Sequence, residues 1–314
     1  MSDLHVIFGT GPAGCWTARA LVEAGLSVRA INRSGERPEF LPADVEIVAV
    51  ADAADAEQST RAADGADVVY QCLNPPVPLW AELFPPLQDA VIAAAKVAGA
   101  RYVSMENLYG FGPVTGPMTE STPIQPTTRK GRVRAEMAAQ LADLHQRGEL
   151  EVVTARASDY YGPGVILSAI GSIVFAPLVT GKKAMLLGSA DMPHSYAYIE
   201  DVGRGLATLG THAEAFGQVW HLPHAPARTG RESLAWAFSA ADLPERISVI
   251  GPFMLRLGAI YLPEAREQLE MSYEFTEPFV VDSSAITRAF GLKATPLKIG
   301  MQRTVEWYQA HVRS

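Results

Sequence analysis

A glycine-rich segment near the start of the chain has the residue types and spacing of a phosphate-binding loop. The segment from Phe8 to Gly14 (FGTGPAG) closes an apolar run and opens a helical pattern. Glycines at this spacing permit a tight turn, close approach to a pyrophosphate, and close packing of a helix on a strand. Backbone N–H groups and the helix dipole would stabilise the anion; an ordinary glycine-rich turn is the alternative. The predicted cofactor-binding residues here are Gly9, Thr10, Gly11, Pro12, Ala13 and Gly14.

The residues that end the second predicted strand indicate which dinucleotide would bind. An acidic residue there hydrogen-bonds the ribose 2′-hydroxyl of NAD, whereas an arginine accommodates the 2′-phosphate of NADP. Here Asn32 and Arg33 end the strand, Arg37 follows, and no carboxylate precedes Glu36. Because an arginine binds phosphate through paired charge-assisted hydrogen bonds, we predict NADP(H) as the cofactor. A solvated loop arginine is the alternative interpretation of Arg33.

The elements that must position these residues alternate along the first half of the chain, as is typical of parallel β-α-β units. Strands are predicted at His5–Phe8, Ser27–Ile31, Val45–Val50, Asp67–Cys72, Arg101–Ser104 and Glu151–Ala155. Helices are predicted at Pro12–Ala24, Ala53–Ala63, Leu79–Ala98 and Thr128–Gln146. Pro85 and Pro86 are expected to interrupt the third helix.

Right-handed crossovers between such units predict an α/β fold with a doubly wound parallel sheet, the Rossmann arrangement. Ligands of this fold bind beyond the carboxyl ends of the strands. Asp52 and Leu73, which follow the third and fourth predicted strands, are therefore expected to contact the cofactor.

The second half of the chain departs from this alternation. Beyond Gly162 short strands, loops and prolines follow, and a final helix is predicted over Leu297–Val312. Residues 1–164, with a returning segment at about 197–222, are expected to form an NADP-binding domain. Residues 165–196 and 223–314 are expected to form a smaller, irregular substrate-binding lobe. The uncharged stretch Tyr160–Gly181 is long enough to span a bilayer, but its glycines and prolines favour a buried helix beside a pocket.

Composition and charge exclude several classes of protein. The 314 residues are 48% hydrophobic and 19% charged, which excludes wholesale disorder. The net charge of −8 disfavours binding to nucleic-acid backbones. Cys15 and Cys72 cannot form a disulfide framework and lack metal-ligand spacing, so we expect them to pack beside the cofactor. With no recognisable signal peptide, a cytoplasmic protein that acts on a small molecule, away from membranes, is predicted.

Four motifs resemble those of the extended short-chain dehydrogenase/reductase superfamily, in its NAD-dependent epimerase/dehydratase group. The Gly9–Gly14 loop is similar to the glycine motif, and Val103–Gly110 resembles the strand end SS-x-x-x-YG. Arg156–Gly164 resembles R-x-x-N-x-YGPG, and His194–Val202 resembles R-x-F-x-x-V-x-DV. In order and spacing these motifs cover roughly residues 4–222. The resemblance implies a Rossmann fold that binds a nicotinamide dinucleotide.

The catalytic residues that this resemblance would imply are replaced. The family's catalytic serine or threonine falls on Met105, and its tyrosine and lysine fall on Thr128 and Arg132. In the family the tyrosine transfers the substrate hydroxyl proton, while the lysine lowers the tyrosine pKa and holds the nicotinamide ribose. Threonine is too weak an acid for that role near neutral pH, and methionine donates no hydrogen bond. Arg132 could still hold the ribose, but alcohol oxidation by the family mechanism is not expected.

Other residues could supply acid chemistry at the same sheet edge. Tyr109 matches the YG tyrosine of the resemblance and is the first candidate proton donor. Lys130 could lower the pKa of a neighbouring phenol. Structural packing of the tyrosine and a solvated helix charge are the alternatives. The candidate catalytic residues are Tyr109, Lys130, Arg132 and Thr128.

The residues expected to bind substrate disfavour a nucleotide sugar. The resemblance places His194 where nucleotide-sugar enzymes use an arginine for the diphosphate, and Asp159 where they use an asparagine. A neutral histidine weakens an anion site, and a desolvated aspartate repels the anion. The uncharged run Val165–Val179 indicates a mostly apolar pocket, with plain core as the alternative. The candidate substrate-binding residues are Met105, Asp159, Tyr160, Tyr161, His194 and Tyr196.

Three functions are compatible with these residues. The leading hypothesis is an atypical NADPH-dependent oxidoreductase that reduces a small, mostly apolar carbonyl or conjugated alkene. The second is a non-catalytic NADP(H)-sensing regulator, and the third is a nucleotide-sugar epimerase or dehydratase with relocated catalytic groups. Because family members often dimerise through two helices, a homodimer through the Leu87–Val97 and Glu136–Leu144 faces is expected.

Overall fold

Alternating strands and helices form the first half of the chain in the computed structural model, which describes residues 3–312 except residue 262. In chain order these elements are β1 (Leu4–Phe8), α1 (Pro12–Glu23), β2 (Ser27–Asn32), β3 (Glu46–Ala49), α2 (Ala56–Ala62), β4 (Val68–Gln71), α3 (Trp80–Ala98), β5 (Arg101–Glu106), α4 (Arg129–Gln146) and β6 (Val152–Arg156). Short 3-10 turns lie at Val77–Leu79 and Tyr109–Phe111.

Shorter elements make up most of the second half. In chain order they are β7 (Tyr160–Tyr161), α5 (Ser172–Val179), β8 (Ala184–Leu187), β9 (Pro193–His194), β10 (Ala197–Tyr198), α6 (Ile199–Thr211), β11 (Val219–His221), β12 (Arg228–Thr229), α7 (Gly230–Ala240), β13 (Ile247–Ile250), α8 (Pro252–Gly258), α9 (Pro263–Glu270), α10 (Tyr273–Thr276), α11 (Ser284–Phe290) and α12 (Leu297–His311). A further 3-10 turn lies at Ala213–Ala215.

A seven-stranded sheet carries the first half of the fold. Its strand order is β11-β6-β5-β4-β1-β2-β3, and every neighbouring pair is parallel. The chain runs from β1 outward to β3 on one side, and from β4 outward to β11 on the other. The strand order therefore reverses between β1 and β4, which is where ligands of doubly wound sheets bind. The predicted α/β fold with a doubly wound parallel sheet is confirmed.

The central strands form because their apolar runs are covered on both faces. β4 is buried at every position, and β1 is buried from His5 to Phe8. Continuous apolar strands of this kind are typical of parallel sheets covered by helices. The register pairs Phe8 with Gln71, so β1 and β4 end at the same level.

The expected interruption of α3 at its two prolines is wrong, since one helix runs through Pro85 and Pro86. Prolines remove two backbone donors and leave the carbonyls one turn earlier without helical partners. Those carbonyls belong to Ala81 and Glu82, which are exposed, so water can satisfy them. Phe84, in the same turn, is buried and anchors the helix in the core.

The chain divides into two compact units. The first comprises the described residues up to Gly112 together with Ile124–Arg156 and Val202–Leu222. The second comprises Pro113–Pro123, Ala157–Asp201 and the described residues from Pro223 onward.

The uncharged run after β7 forms much of the core of the second unit. Its short helix α5 buries Val174, Phe175 and Leu178, and the Phe175 ring stacks on Tyr308 of α12 with centroids 5.3 Å apart. The predicted buried helix is present, and these side chains form plain core rather than a pocket lining. Across the described residues, no helix combines the length and apolarity needed to cross a membrane.

Candidate cofactor and catalytic site

The phosphate loop lies between the ends of β1 and β4 in the first unit. Gly9 has a φ of +102°, and a Cβ there would approach the Cys72 carbonyl oxygen to 2.7 Å. A Cβ on Gly14 would overlap the Gly9 carbonyl oxygen, so a side chain is excluded at both positions. Around Gly11, by contrast, a Cβ would meet no described atom within 4 Å. The loop is therefore closed on its strand side and open at Gly11.

The open side of the loop has the chemistry of an anion site. Gly11 caps α1 without a side-chain hydrogen bond, Pro12 occupies the first helical position, and the described first turn contains no acidic residue. The backbone N–H groups of Ala13 and Gly14 therefore point out of the first turn of α1. The positive end of the helix dipole lies at the same place. A dinucleotide pyrophosphate fits this arrangement, because it approaches backbone rather than side chains.

The two cysteines pack around the loop and are not reactive groups. The Cys15 thiol donates to the Thr10 carbonyl oxygen over 3.2 Å. Burial raises the pKa of Cys15 to about 12, and burial together with the nearby Cys15 raises the pKa of Cys72 to about 12. Both thiols are therefore protonated near neutral pH, as expected of packing residues.

The turn after β2 holds Asn32 firmly and presents Arg33 to solvent. The Asn32 amide donates to the Thr10 hydroxyl (3.0 Å) and the Glu36 carbonyl (2.9 Å), and its oxygen accepts from the Gly35 N–H (2.7 Å). This links the second strand to the phosphate loop. Arg33 follows directly and is exposed.

Arg37, the other arginine of this turn, has a structural role. Its guanidinium donates to the carbonyl oxygens of Pro42 and Val45, the latter over 2.9 Å. These bonds stabilise the loop that leads to β3. Arg37 is therefore engaged within its own loop, whereas the Arg33 side chain is exposed to solvent.

The other two predicted cofactor contacts occupy different surroundings. Leu73 directly follows Cys72 beyond β4, and its N–H donates to the Gln71 side chain over 2.6 Å. It packs partly on the sheet core, at the level of Gly9. Asp52 is exposed, and its carboxylate accepts from the Ala54 N–H (2.9 Å) in the turn before α2. Leu73 lies beside the loop, whereas Asp52 forms part of a surface turn.

Thr128, which the resemblance aligns with the family's catalytic tyrosine, caps the start of helix α4. Its hydroxyl accepts a hydrogen bond from the Gly131 N–H over 3.0 Å, which is an ordinary helix cap. A Cβ on Gly131 would come within 2.6 Å of the Tyr109 carbonyl oxygen. The glycine thus lets the Tyr109 turn lie directly against the start of α4. The Tyr109 carbonyl oxygen and the Thr128 hydroxyl both lie beside Gly131.

The Tyr109 ring is held by a small aromatic cluster. It stacks on Trp80 with centroids 5.8 Å apart and an interplanar angle of 28°, and it is only partly buried. The cluster around it contains Phe84, Val133 and Met137. This packing fixes the ring in place while leaving part of it accessible, so it is compatible with a structural or a chemical role.

The basic residues at the start of α4 have different environments. Lys130 is only 2% exposed, so the solvated-charge alternative is wrong for it. Arg132 is exposed, with its guanidinium 3.5 Å from the Thr127 carbonyl oxygen. The Arg132 side chain therefore lies on the surface, where a ribose or phosphate could reach it. Lys130 instead lies in the interior of the first unit.

A buried ion pair next to this site was not predicted from the sequence. Arg134 lies 2.6 Å from the Glu106 carboxylate, and their side chains are 5% and 3% exposed. Arg134 also donates to the Met105 carbonyl (3.0 Å), and the Ser104 hydroxyl donates to Glu106 (2.9 Å). The guanidinium lies over the Phe84 ring at 4.4 Å. The pair joins the end of β5, including Met105, to α4.

In the second unit, His194 is enclosed by aromatic rings. It is 4% exposed and stacks on Tyr196, Phe275 and Phe279, with centroids 4.4, 5.4 and 5.0 Å away. Its Nε2 lies 3.2 Å from the Asp159 carboxylate, although the alignment is not that of a hydrogen bond. Burial, and then the Asp159 charge, raises the pKa of Tyr196. An apolar wall and a carboxylate make these surroundings unfavourable for an anion.

The two tyrosines of β7 differ in exposure. Tyr161 is fully buried, burial raises its pKa, and a Cβ on Gly300 would overlap its hydroxyl. This placement favours a packing role for Tyr161 over the predicted substrate-binding role. Tyr160 is partly exposed and pairs with Ala197 of β10.

The sheet, its switch point and the open glycine loop define a dinucleotide-binding protein of the Rossmann class. A family model described as the NAD dependent epimerase/dehydratase family matches residues 6–222. The chain belongs to this family, which confirms the resemblance seen in its motifs.

Individual relatives are distant. A dTDP-glucose 4,6-dehydratase of Streptomyces griseus is 24% identical over 216 residues, covering 68% of this chain and 60% of that protein. The corresponding enzyme of Escherichia coli is 22% identical over 200 residues, covering 62% of this chain and 50% of that protein. The chain thus spans about half to two thirds of the length of the curated relatives it matches.

Solved structures match over nearly the whole chain. A Bacillus anthracis dTDP-glucose 4,6-dehydratase in complex with NAD has a TM-score of 0.80 at 14% identity, covering 98% of this chain and 97% of that one. A Thermus thermophilus UDP-glucose 4-epimerase in complex with NAD has a TM-score of 0.76 at 17% identity, covering 98% and 100%. These likenesses establish the fold, and together with the family they support a cofactor of the NAD(P) type.

Proposed function

We propose that this protein is an NADPH-dependent oxidoreductase that reduces a small, mostly apolar carbonyl or conjugated alkene. The observation that carries the proposal is the pairing of an open phosphate loop at Gly11 with an exposed Arg33 at the end of β2. When bound, NADPH would supply the hydride. The chain would hold the phosphates at α1 and Arg33, the ribose at Arg132, and a proton at Tyr109.

The preference for NADPH over NADH rests on Arg33. No carboxylate precedes Glu36 in the turn, so nothing there would repel a 2′-phosphate. Arg33→Ala should weaken NADPH binding about tenfold or more, since a charge-assisted hydrogen bond contributes about 1.5–3 kcal/mol. Calorimetric titration with both dinucleotides measures this. NADH is the matched control, because its affinity should be unchanged; an equal loss for both would show that Arg33 does not contact the 2′-phosphate.

Tyr109 is the proposed proton donor because its turn lies directly against the start of α4, beside the Thr128 hydroxyl. The ring lies on Trp80 and follows the end of β5. Reduction of a conjugated alkene demands less of the acid than reduction of a ketone. The absence of the family tyrosine at position 128 is therefore compatible with turnover.

Tyr109→Phe should slow NADPH oxidation at least about tenfold in a panel of enones and aldehydes, since a positioned general acid typically contributes about a hundredfold or more. Tyr102→Phe is the matched control. Its hydroxyl is fully buried in β5 and has no hydrogen-bond partner among the described residues. Turnover should be normal in that control, and equal turnover of the Tyr109 variant and the wild type would exclude Tyr109 as the donor.

A non-catalytic NADP(H) sensor is the second candidate, favoured by the use of the Thr128 hydroxyl as a helix cap. A hydroxyl engaged in that way supports structure rather than proton transfer. The sensor would bind NADPH without oxidising it with any member of the panel. A nucleotide-sugar substrate is disfavoured, because the aromatic surroundings of His194 and the nearby Asp159 oppose a diphosphate.

The proposal extends to the setting in which the enzyme works. We propose a cytoplasmic homodimer that acts on a small molecule and does not bind nucleic acid. The net charge of −8 supports the last point. Sedimentation of the purified chain tests the oligomeric state.

A further inference from the structure

A small polar cavity of the first unit lies between α4, the turn after β5 and the end of β6. Its atom-free space is about 240 Å³, counting its opening to solvent. The enclosed part has room for about one water-sized sphere. The polar side chains that line the cavity are those of Glu106, Asn107, Arg134 and Arg156. An occupant must therefore be small and must suit polar partners.

The side chains that line the cavity carry more positive than negative charge. Arg134 and Arg156 each contribute a guanidinium, and Glu106 contributes the only carboxylate among the described lining residues. Both oxygens of that carboxylate are already engaged, one by the Ser104 hydroxyl over 2.9 Å and the other by Arg134 over 2.6 Å. The Arg156 guanidinium lies over the Phe111 ring at 4.9 Å. The lining thus has one net positive charge.

Arg134 also carries a buried donor that needs an acceptor. The side chain is 5% exposed, and its Nε–H has no hydrogen-bond partner among the described residues. Guanidinium nitrogens only donate, and a buried donor without an acceptor destabilises the fold. Because Arg134 lines the cavity, an acceptor placed there would satisfy this group.

The Asn107 amide supplies a further donor. Its oxygen accepts a hydrogen bond from the Tyr109 N–H over 3.1 Å, so its NH₂ group is the part that an occupant of the cavity can use. A water molecule there would have to place two hydrogens against a lining that mostly donates, whereas an anion only accepts. The donors and the net charge therefore both favour an anion over water.

We infer that this cavity binds a small monovalent anion such as chloride. The charge of one such ion balances the net charge of the lining, and the enclosed space is too small for a phosphate. By bonding Arg134 and Asn107 together, the ion would tie α4 to the turn that carries Tyr109. The inference goes beyond the proposed function and does not depend on it, since the ion would bind whether or not the protein oxidises NADPH.

Thermal unfolding of the full-length apoprotein, followed by circular dichroism, tests the inference as sodium chloride replaces sodium gluconate at constant ionic strength. Gluconate has the same charge but is too large for the enclosed space. At a chloride concentration about ten times the dissociation constant, the unfolding midpoint of the wild type should rise by about 2–4 °C. Sodium acetate, whose anion is also larger than the enclosed space, should give no such rise.

Two variants remove the anion site while keeping the buried ion pair. Ala138→Val fills the cavity that Ala138 lines, and Ala139→Val is its matched control at an exposed position of the same helix. Asn107→Asp keeps an acceptor for the Tyr109 N–H but replaces the amide donor with a negative charge. The chloride-dependent rise should be absent from the Ala138 and Asn107 variants and present in the Ala139 variant. The readout is the difference between the two salts, so a variant of lower overall stability still gives an answer.

Diffraction from crystals soaked in sodium bromide locates the ion, and an anomalous peak beside Arg134 in the cavity is expected. Equal midpoints of the wild type in chloride and gluconate would overturn the inference. An equal chloride-dependent rise in the wild type and all three variants would show a general salt effect, and a bromide peak without any such rise would mark an adventitious ion only. Stabilisation by acetate but not by chloride would also contradict a site for so small an anion.

Discussion

Replacing Gly14 with alanine should lower the free energy of unfolding by about 3 kcal/mol even in the absence of any cofactor, since overpacking of this kind costs about 1–3 kcal/mol or more. The added Cβ would overlap the Gly9 carbonyl oxygen, and neither backbone segment can move without disturbing β1 or α1. Urea unfolding of the apoprotein, followed by circular dichroism, measures the effect.

Gly11→Ala is the matched control for that substitution. Its Cβ would meet no described atom within 4 Å, so the apoprotein should lose less than about 1 kcal/mol, the cost of alanine at a helix cap. NADPH binding should nevertheless weaken at least about tenfold, because the added methyl group occupies the space that a pyrophosphate needs. Wild-type stability of the Gly14 variant would contradict the packing of the loop. Unchanged NADPH binding by the Gly11 variant would show that the phosphates do not bind at the start of α1.

Glu106→Gln should destabilise the protein by about 3–5 kcal/mol, because it leaves the Arg134 charge buried without its counter-ion. The pair lies in the interior of the first unit, where solvent cannot compensate for the lost carboxylate. Asp191→Asn is the matched control, since it breaks the Arg231–Asp191 pair, whose side chains are more than half exposed. Exposed pairs contribute about 0–1 kcal/mol, so the control should unfold almost as the wild type does.

Removing both charged groups of the buried pair tests whether the loss of stability comes from an uncompensated charge or from lost packing. A Glu106→Leu, Arg134→Met double variant leaves no uncompensated charge, so most of the lost stability should return. If Glu106→Gln alone unfolded like the wild type in the same urea series, the pair would be more hydrated than its burial indicates. If the double variant were less stable than Glu106→Gln, packing and the bond to Met105 would account for the loss instead.

The sheet and the phosphate loop could be predicted from the sequence because their signals are local. Apolar runs mark β1 and β4, and the glycines between Gly9 and Gly14 mark the turn that follows the first strand. The first residues of the helices could be predicted to within a few positions, and the structure explains the difference at α2. α2 begins at Ala56 rather than Ala53 because the Asp55 side chain caps it.

Features that depend on tertiary contacts could not be predicted in this way. Nothing in the sequence indicates that Glu106 and Arg134, 28 positions apart, share a buried ion pair, because each residue type is common on surfaces. Lys130 looks like a solvated helix charge until the fold places it in the interior. The double proline in α3 also required knowledge of which carbonyls face water.

Titration calorimetry of the wild-type protein with NADPH and with NADH, at one fixed ionic strength, tests whether this site prefers NADP(H). Arg33 at the end of β2 and the open loop at Gly11 predict that NADPH binds at least about tenfold more tightly than NADH. NADH binding as tight as NADPH, or tighter, would contradict the account.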